Sequence, residues 1–246
     1  MIFTIARREI TSMFLSPLAW IILAVIQGIL GWMFLAQIEN FYLLQPQLAH
    51  LQSVPGVTDI IIAPIFSLAA IILLMIMPLI TMRTLAEEKK NKTINLLFSA
   101  PISITQLVLG KFLGLIYFVL ILCSLLMIMP LSLYLGTQLD AGKLLSIFIG
   151  MVLLLSSFAA IGLYLSSLTD NQTIAAVSTF GALLMLWIIE WSSSAQNLFH
   201  YLSLLAHHQP LLAGEFSSTD VSYFLLIIIL FVGLTIRQLD GDRLNA

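Results

Sequence analysis

The sequence predicts an all-α integral membrane protein with six transmembrane helices and both termini in the cytoplasm. The first observation is composition. Of 246 residues 60% are hydrophobic and only 9% charged, with a mean hydropathy of +1.07, which leaves too little polar surface to cover a soluble core. The second is that charge-free runs cover 10–38, 60–82, 112–139, 144–169, 171–189 and 221–236. Crossing about 30 Å of hydrocarbon at about 1.5 Å per residue takes roughly 20 residues. Five runs come close to that or exceed it, and the sixth does so once Thr219, Asp220 and the residues after Ile236 reach into the headgroups. Backbone groups must pair internally in lipid, and no run shows the alternation of a β-barrel strand, so the runs read as helices. The third is charge placement: of ten basic residues only Lys143 falls on the outer side, which sets the orientation by the positive-inside rule.

The elements follow in order. Residues 1–17 predict an amphipathic interfacial helix, with Ile2, Phe3, Ala6, Ile10, Met13 and Phe14 on one side. Thr4, Arg8, Thr11 and Ser12 lie on the other, Arg7 and Glu9 at the edges, and Pro17 favours a break before the first span. The basic pair followed by a run this long, with no small-residue cleavage pattern, does not read as a signal peptide. Spans are expected at about 18–38, 60–82, 104–135, 144–168, 172–191 and 219–238, in a single domain. The segment 39–59, with Pro46, Pro55 and Gly56, reads as an external loop. Ser103-Ile104-Thr105-Gln106 fits a capping box that starts span three, and Thr169-Asp170-Asn171-Gln172 repeats the pattern in a tight turn before span five. The outer segment 192–218 is apolar at Leu202 to Ala206 and Leu211 to Ala213, so it is expected to dip into the bilayer or pack on the helices.

Motifs of soluble enzymes are missing. The pair Gly110-Lys111 lacks the rest of a phosphate-binding loop, and neither HExxH nor GxSxG occurs, so no catalytic residue is expected. Cys123, the single cysteine, lies mid-span. His207 and His208 are adjacent and would point about 100° apart on a helix, with no carboxylate or cysteine at ligand spacing, so no metal site is expected. Glu190 closes span five beside Trp191, an interfacial setting, yet an acid at that depth also suits an ion path. Gln27 in span one is a milder candidate for the pathway or outer gate, and equally for a hydrogen bond to a neighbouring helix.

The strongest local signal is 81–101, TMRTLAEEKKNKTINLLFSAP, where Arg83 to Lys92 hold six charges within ten residues. Flanking positive charge would require only Arg83 and a few lysines. Instead Glu87 and Glu88 precede Lys89 and Lys90, and Thr93 to Phe98 form a short apolar stretch ended by Pro101. An apolar patch rimmed by mixed charge suits a protein partner.

Leu79 to Arg83, Ala86-Glu87-Glu88, Thr93 to Leu97, Ser99 to Ser103 and Leu109-Gly110-Lys111 resemble the ABC-2 type permeases. The nearest branch holds the gliding-motility-associated and nitrous-oxide-reductase-maturation permeases. Arg8-Glu9, Ser16-Pro17, Ala160 to Gly162, Ser166 to Gln172, and His208, Phe216, Asp220 and Tyr223 extend the likeness over nearly the whole chain. The resemblance implies an inner-membrane exporter permease without cofactors of its own. Two cytosolic ABC ATPases would bind ATP and Mg, and a second permease, the same chain or a related one, would complete the path. It implies that Glu87, Glu88, Lys92, Thr93, Leu96 and Leu97 belong to a coupling region within 83–103 that the ATPase grips. Arg7, Arg8 and Glu9 would lie on the interfacial connecting helix, and 192–218 would cap the path outside. Membrane lipid and a periplasmic accessory protein are further candidate partners; nucleic acid is not. The chain departs from the family where a glycine is usual, at Lys92, and where an acid is usual, at Asn95. Two rival readings stay open: a secondary transporter with Glu190 as its coupling acid, and a membrane anchor that transports nothing.

Overall fold

The computed structural model describes residues 1–48, 56–94, 102–135, 139–192 and 203–244, and among these it is helical with no strand. The helices are α1 (Ile2–Leu15), α2 (Pro17–Leu48), α3 (Ala63–Thr81), α4 (Ala86–Lys90), α5 (Ile104–Ser132), α6 (Ala141–Ser167), α7 (Gln172–Ser192), α8 (Leu204–Ala213) and α9 (Ser218–Leu244). A π-helical turn, Thr58–Ile62, leads into α3, and a 3-10 turn, Leu133–Leu135, follows α5. Among the described residues five stretches are long and apolar enough to cross a membrane: Pro17–Leu43, Thr58–Lys90, Ile104–Ser132, Ala141–Ser167 and Ser218–Leu244. The apolar part of α7, Gln172–Ile188, is shorter.

The hub is α6, which packs against α3, α5, α7, α8 and α9. Small residues let it do so. Gly162 lies so close to α3 that an added Cβ would fall 2.2 Å from Thr81 Oγ1, and one on Gly150 would fall 2.8 Å from Leu211 Cβ of α8. Phe158, Leu154, Leu155 and Met151 fill the centre, with Phe118 of α5, Leu73 and Met77 of α3, and Phe224 of α9. By contrast α2 and α9 leave wide apolar faces uncovered, such as Trp20, Val25, Trp32 and Leu35 on α2 and Leu226, Ile229 and Leu230 on α9. Such faces suit lipid or another membrane subunit.

Local chemistry sets the ends. Ser16, extended before Pro17, separates α1 from α2, and Trp20 Nε1 donates to the Phe14 carbonyl at 2.9 Å to hold the corner. Ser103 Oγ accepts from the Gln106 amide at 3.2 Å, the cap that the capping box predicts. At the second such motif the capping residue is Asn171 rather than Thr169: Asn171 Oδ1 accepts from Thr173 N, while Thr169 Oγ1 only turns back onto Asn171 N. Asparagine at that place accepts from the N2 amide directly, and the helix therefore starts at Gln172.

The structure also departs from the expected loop at 39–59. Helix α2 runs on to Leu48, because Ile38 and Phe41 continue its apolar stripe. Together with Phe34 they pack on Ile60, Ile61 and Ile65 in a small second core. Residues 49–55 lie outside the described residues.

Candidate functional site

The charged island does not stand free of the bundle. Its helix α4 begins where Ser166 Oγ, on α6, accepts hydrogen bonds from Leu85 N at 3.2 Å and Ala86 N at 3.0 Å and donates to the Met82 carbonyl. These are orphan amides of a helix start, satisfied here by a side chain of the central helix. Lys89 then reaches across to α9 and the end of α6, donating to Asp242 Oδ2 at 2.5 Å and to the Ser167 carbonyl.

The deepest contact is Lys111, about two turns into α5, whose side chain is only 3% exposed. Its ammonium donates to Glu88 Oε1 at 2.8 Å, to the Thr84 carbonyl at 2.8 Å and to Glu9 Oε2 at 3.3 Å. All three of its donors are thus used, on three separate elements. The second oxygen of Glu88 is buried with no partner. Helix α1 is drawn in by the same arrangement. A Cβ on Gly110 would lie 2.7 Å from Ile5 Cβ, and one on Gly114 would lie 2.8 Å from Glu9 Cβ. The two glycines four apart open a groove in α5, and α1 lies in it with Ile2, Ile5, Ala6 and Glu9 inward. The face that packs is therefore rotated from the apolar face expected from the sequence. Glu9 moves from its edge to the inside, because Lys111 supplies a cation there, and Phe3 is left 73% exposed.

The expected site residues fall as follows. Glu87 is half-buried and lines a cavity of about 530 Å³ between α1, α3, the island and α5, with Arg8 and Arg83 at its edge. Arg7, Arg8, Lys90, Asn91, Lys92 and Thr93 are exposed. Lys92, where the family usually has glycine, adopts φ +55°, the left-handed conformation that glycine takes without cost. Thr93 Oγ1 donates to the Glu88 carbonyl. Leu96 and Leu97 lie outside the described residues. Gln27 donates from Nε2 to the Leu125 carbonyl of α5 at 3.2 Å. The backbone of Glu190 belongs to α7, and its side chain is outside what the structure describes.

In the sequence Lys111, Ser166 and Ser167 stand out only through the family resemblance, which gives them no contact, and Asp242 does not stand out at all. A signal existed for the first: a lysine enclosed by Val108, Leu109, Phe112 and Leu113 must find an anion, and Gly110 and Gly114 show where a helix could bring one.

The opposite end carries a second polar group. Lys143 pairs with both oxygens of Asp59, at 2.9 and 3.0 Å. The outer segment forms α8, packed on α6 through Leu211 and capped by Gly214 at φ +88°. His207 Nδ1 lies 2.6 Å from Asp220 Oδ1, and its ring stacks on Tyr223. His208 is fully buried with neither ring nitrogen partnered, and burial lowers its pKa to about 4. Among the described residues no three metal-binding side chains converge.

A family model described as an ABC-2 family transporter protein matches residues 3–238. No curated protein compared with the chain matches it. An island of charge bound to the spans around it, in an all-helical bundle matched over nearly its full length, leads to one assignment: the chain belongs to the ABC-2 transporter family and is a multi-pass membrane subunit of an ABC transporter.

Proposed function

We propose that the chain is one permease half of an ATP-driven exporter in a bacterial inner membrane, moved by a separate cytosolic ABC ATPase that grips the island. ABC-2 permeases generally pair with such an ATPase. In this reading six spans cross the bilayer, both termini face the cytoplasm, and α1 is the connecting helix in the interface. Two ATPases bind ATP and Mg, and a second permease faces the bare sides of α2 and α9.

The observation that carries the proposal is the attachment of α4. A partner can shift a membrane protein's conformation only through contacts that differ between states. Force applied at Glu87, Glu88, Lys92 and Thr93 reaches α5 and α1 through Lys111, α6 through Ser166, and α9 through Lys89. A chain segment serving only as flanking charge needs none of these bonds. Leu96 and Leu97 are proposed as the apolar contact with the ATPase, by the chemistry of their sequence.

Co-purification tests it. A complex with the ABC ATPase is expected from wild type and lost from Leu96→Asp/Leu97→Asp, and ATP hydrolysis by the ATPase is expected to rise when the wild-type permease is added in lipid. A complex untouched by the double substitution, or transport that follows a proton gradient with no nucleotide, would overturn the reading.

A further inference from the structure

We infer that the cavity between α1 and the island holds a lipid headgroup carrying both charges, its phosphodiester between Arg8 and Arg83 and a primary ammonium against Glu87. At about 530 Å³ the space is far larger than the roughly 30 Å³ that one water takes in the liquid. Arg8 and Arg83 approach it from separate elements, both are exposed, and neither makes an ion pair among the described residues. Two such guanidiniums suit a phosphodiester, whose oxygens accept forked hydrogen bonds.

The acidic wall argues against a purely anionic guest. Glu87, half-buried, lines the same space and makes no ion pair among the described residues. A carboxylate on the cavity wall with no cation of its own calls for an N–H donor from the guest. A primary ammonium has such donors and a trimethylammonium has none. The apolar walls are Leu18 at the start of α2, Leu79 and Ile80 at the end of α3 and Phe118 midway along α5, which suit the glycerol and first methylenes of a lipid better than a polar peptide.

The experiment uses the full chain purified in detergent without an ATPase, titrated with defined lipids and followed by native mass spectrometry. Its result is therefore independent of whether the ATPase assignment stands. One phosphatidylethanolamine per chain is expected, bound about tenfold tighter than phosphatidylcholine and tighter than phosphatidylglycerol. Arg8→Gln/Arg83→Gln, both at exposed side chains, should weaken it by at least about tenfold while the melting temperature holds. Lys90→Gln, nearby but not lining the cavity, should leave it unchanged. Equal binding of ethanolamine and choline lipids, retention by the double variant, or tighter binding of phosphatidylglycerol would overturn the inference. So would displacement by inorganic phosphate alone, which would give the cavity to a free anion.

Discussion

At Lys111 a fully used ammonium is held between two carboxylates where water barely reaches. Buried ion clusters are costly to form and costlier to break, because removal of one partner strands the others. Lys111→Met is expected to cost about 3–5 kcal/mol, read as a lowered unfolding midpoint in detergent. Lys111→Met combined with Glu9→Gln and Glu88→Gln should recover most of that loss, since no charge is then left unpaired. A triple variant as unstable as the single one would show that the charges are not what Lys111 serves. Lys92 works in the other direction. Its φ of +55° follows the last turn of α4, a position where glycine is free and a side chain is strained by roughly 1 kcal/mol. Lys92→Gly should therefore raise stability by about 0.5–1 kcal/mol. His208 makes stability depend on pH. Its folded pKa of about 4 lies below the ordinary 6.5, so its neutral form is favoured in the fold. The contribution is whole above pH 6.5 and is lost as pH falls from 6.5 towards 4, by at most about 3 kcal/mol. His208→Leu should flatten the melting temperature across that window, and an unchanged slope would place the proton elsewhere.

At the scale of elements, close approach at glycine decides the packing. Gly162 faces Thr81 so tightly that even alanine must move α3 off α6. Gly162→Ala is expected to cost about 1–3 kcal/mol, and Thr81→Gly in the same chain should return much of it, a non-additive cycle that two independent sites would not show. This scale also divides what the sequence disclosed from what it did not. The spans were legible because lipid imposes length and apolarity on each alone, as in 112–139 and 144–169. The break at Ser16 and the cap at Ser103 were legible because proline and serine act on their own neighbours. The extension of α2 past residue 38 was not, since it depends on Ile60, Ile61 and Ile65 arriving from another segment. For the same reason the island could be recognised as unusual from its charges, whereas its bonds to Ser166 and Asp242, 80 and 153 positions away, could not. Nothing local marks a pairing made only by the fold.

For the whole molecule the question is what travels when the island moves. Four helices meet at α4 through a handful of polar contacts, and α6 carries that end to the other, where Ser146 Oγ donates to the Leu211 carbonyl of α8 at 2.9 Å. A stiff central helix bound at both ends can pass a displacement along its length, which packed interfaces do in discrete steps rather than by gradual deformation. Ser166→Ala removes the acceptor from two buried amides, and Asp242→Asn takes the charge from the partner of Lys89. Neither residue lies on the exposed part of the island proposed to meet the ATPase. The double variant should therefore still form the complex yet show little stimulation of ATP hydrolysis in liposomes, with a stability loss of about 1–3 kcal/mol from the unpaired amides. Wild-type stimulation in that variant would mean that force does not pass through α4 to α6 and α9, leaving Lys111 and α1 as the route. Loss of the complex itself would mean that these bonds shape the docking surface rather than transmit its motion.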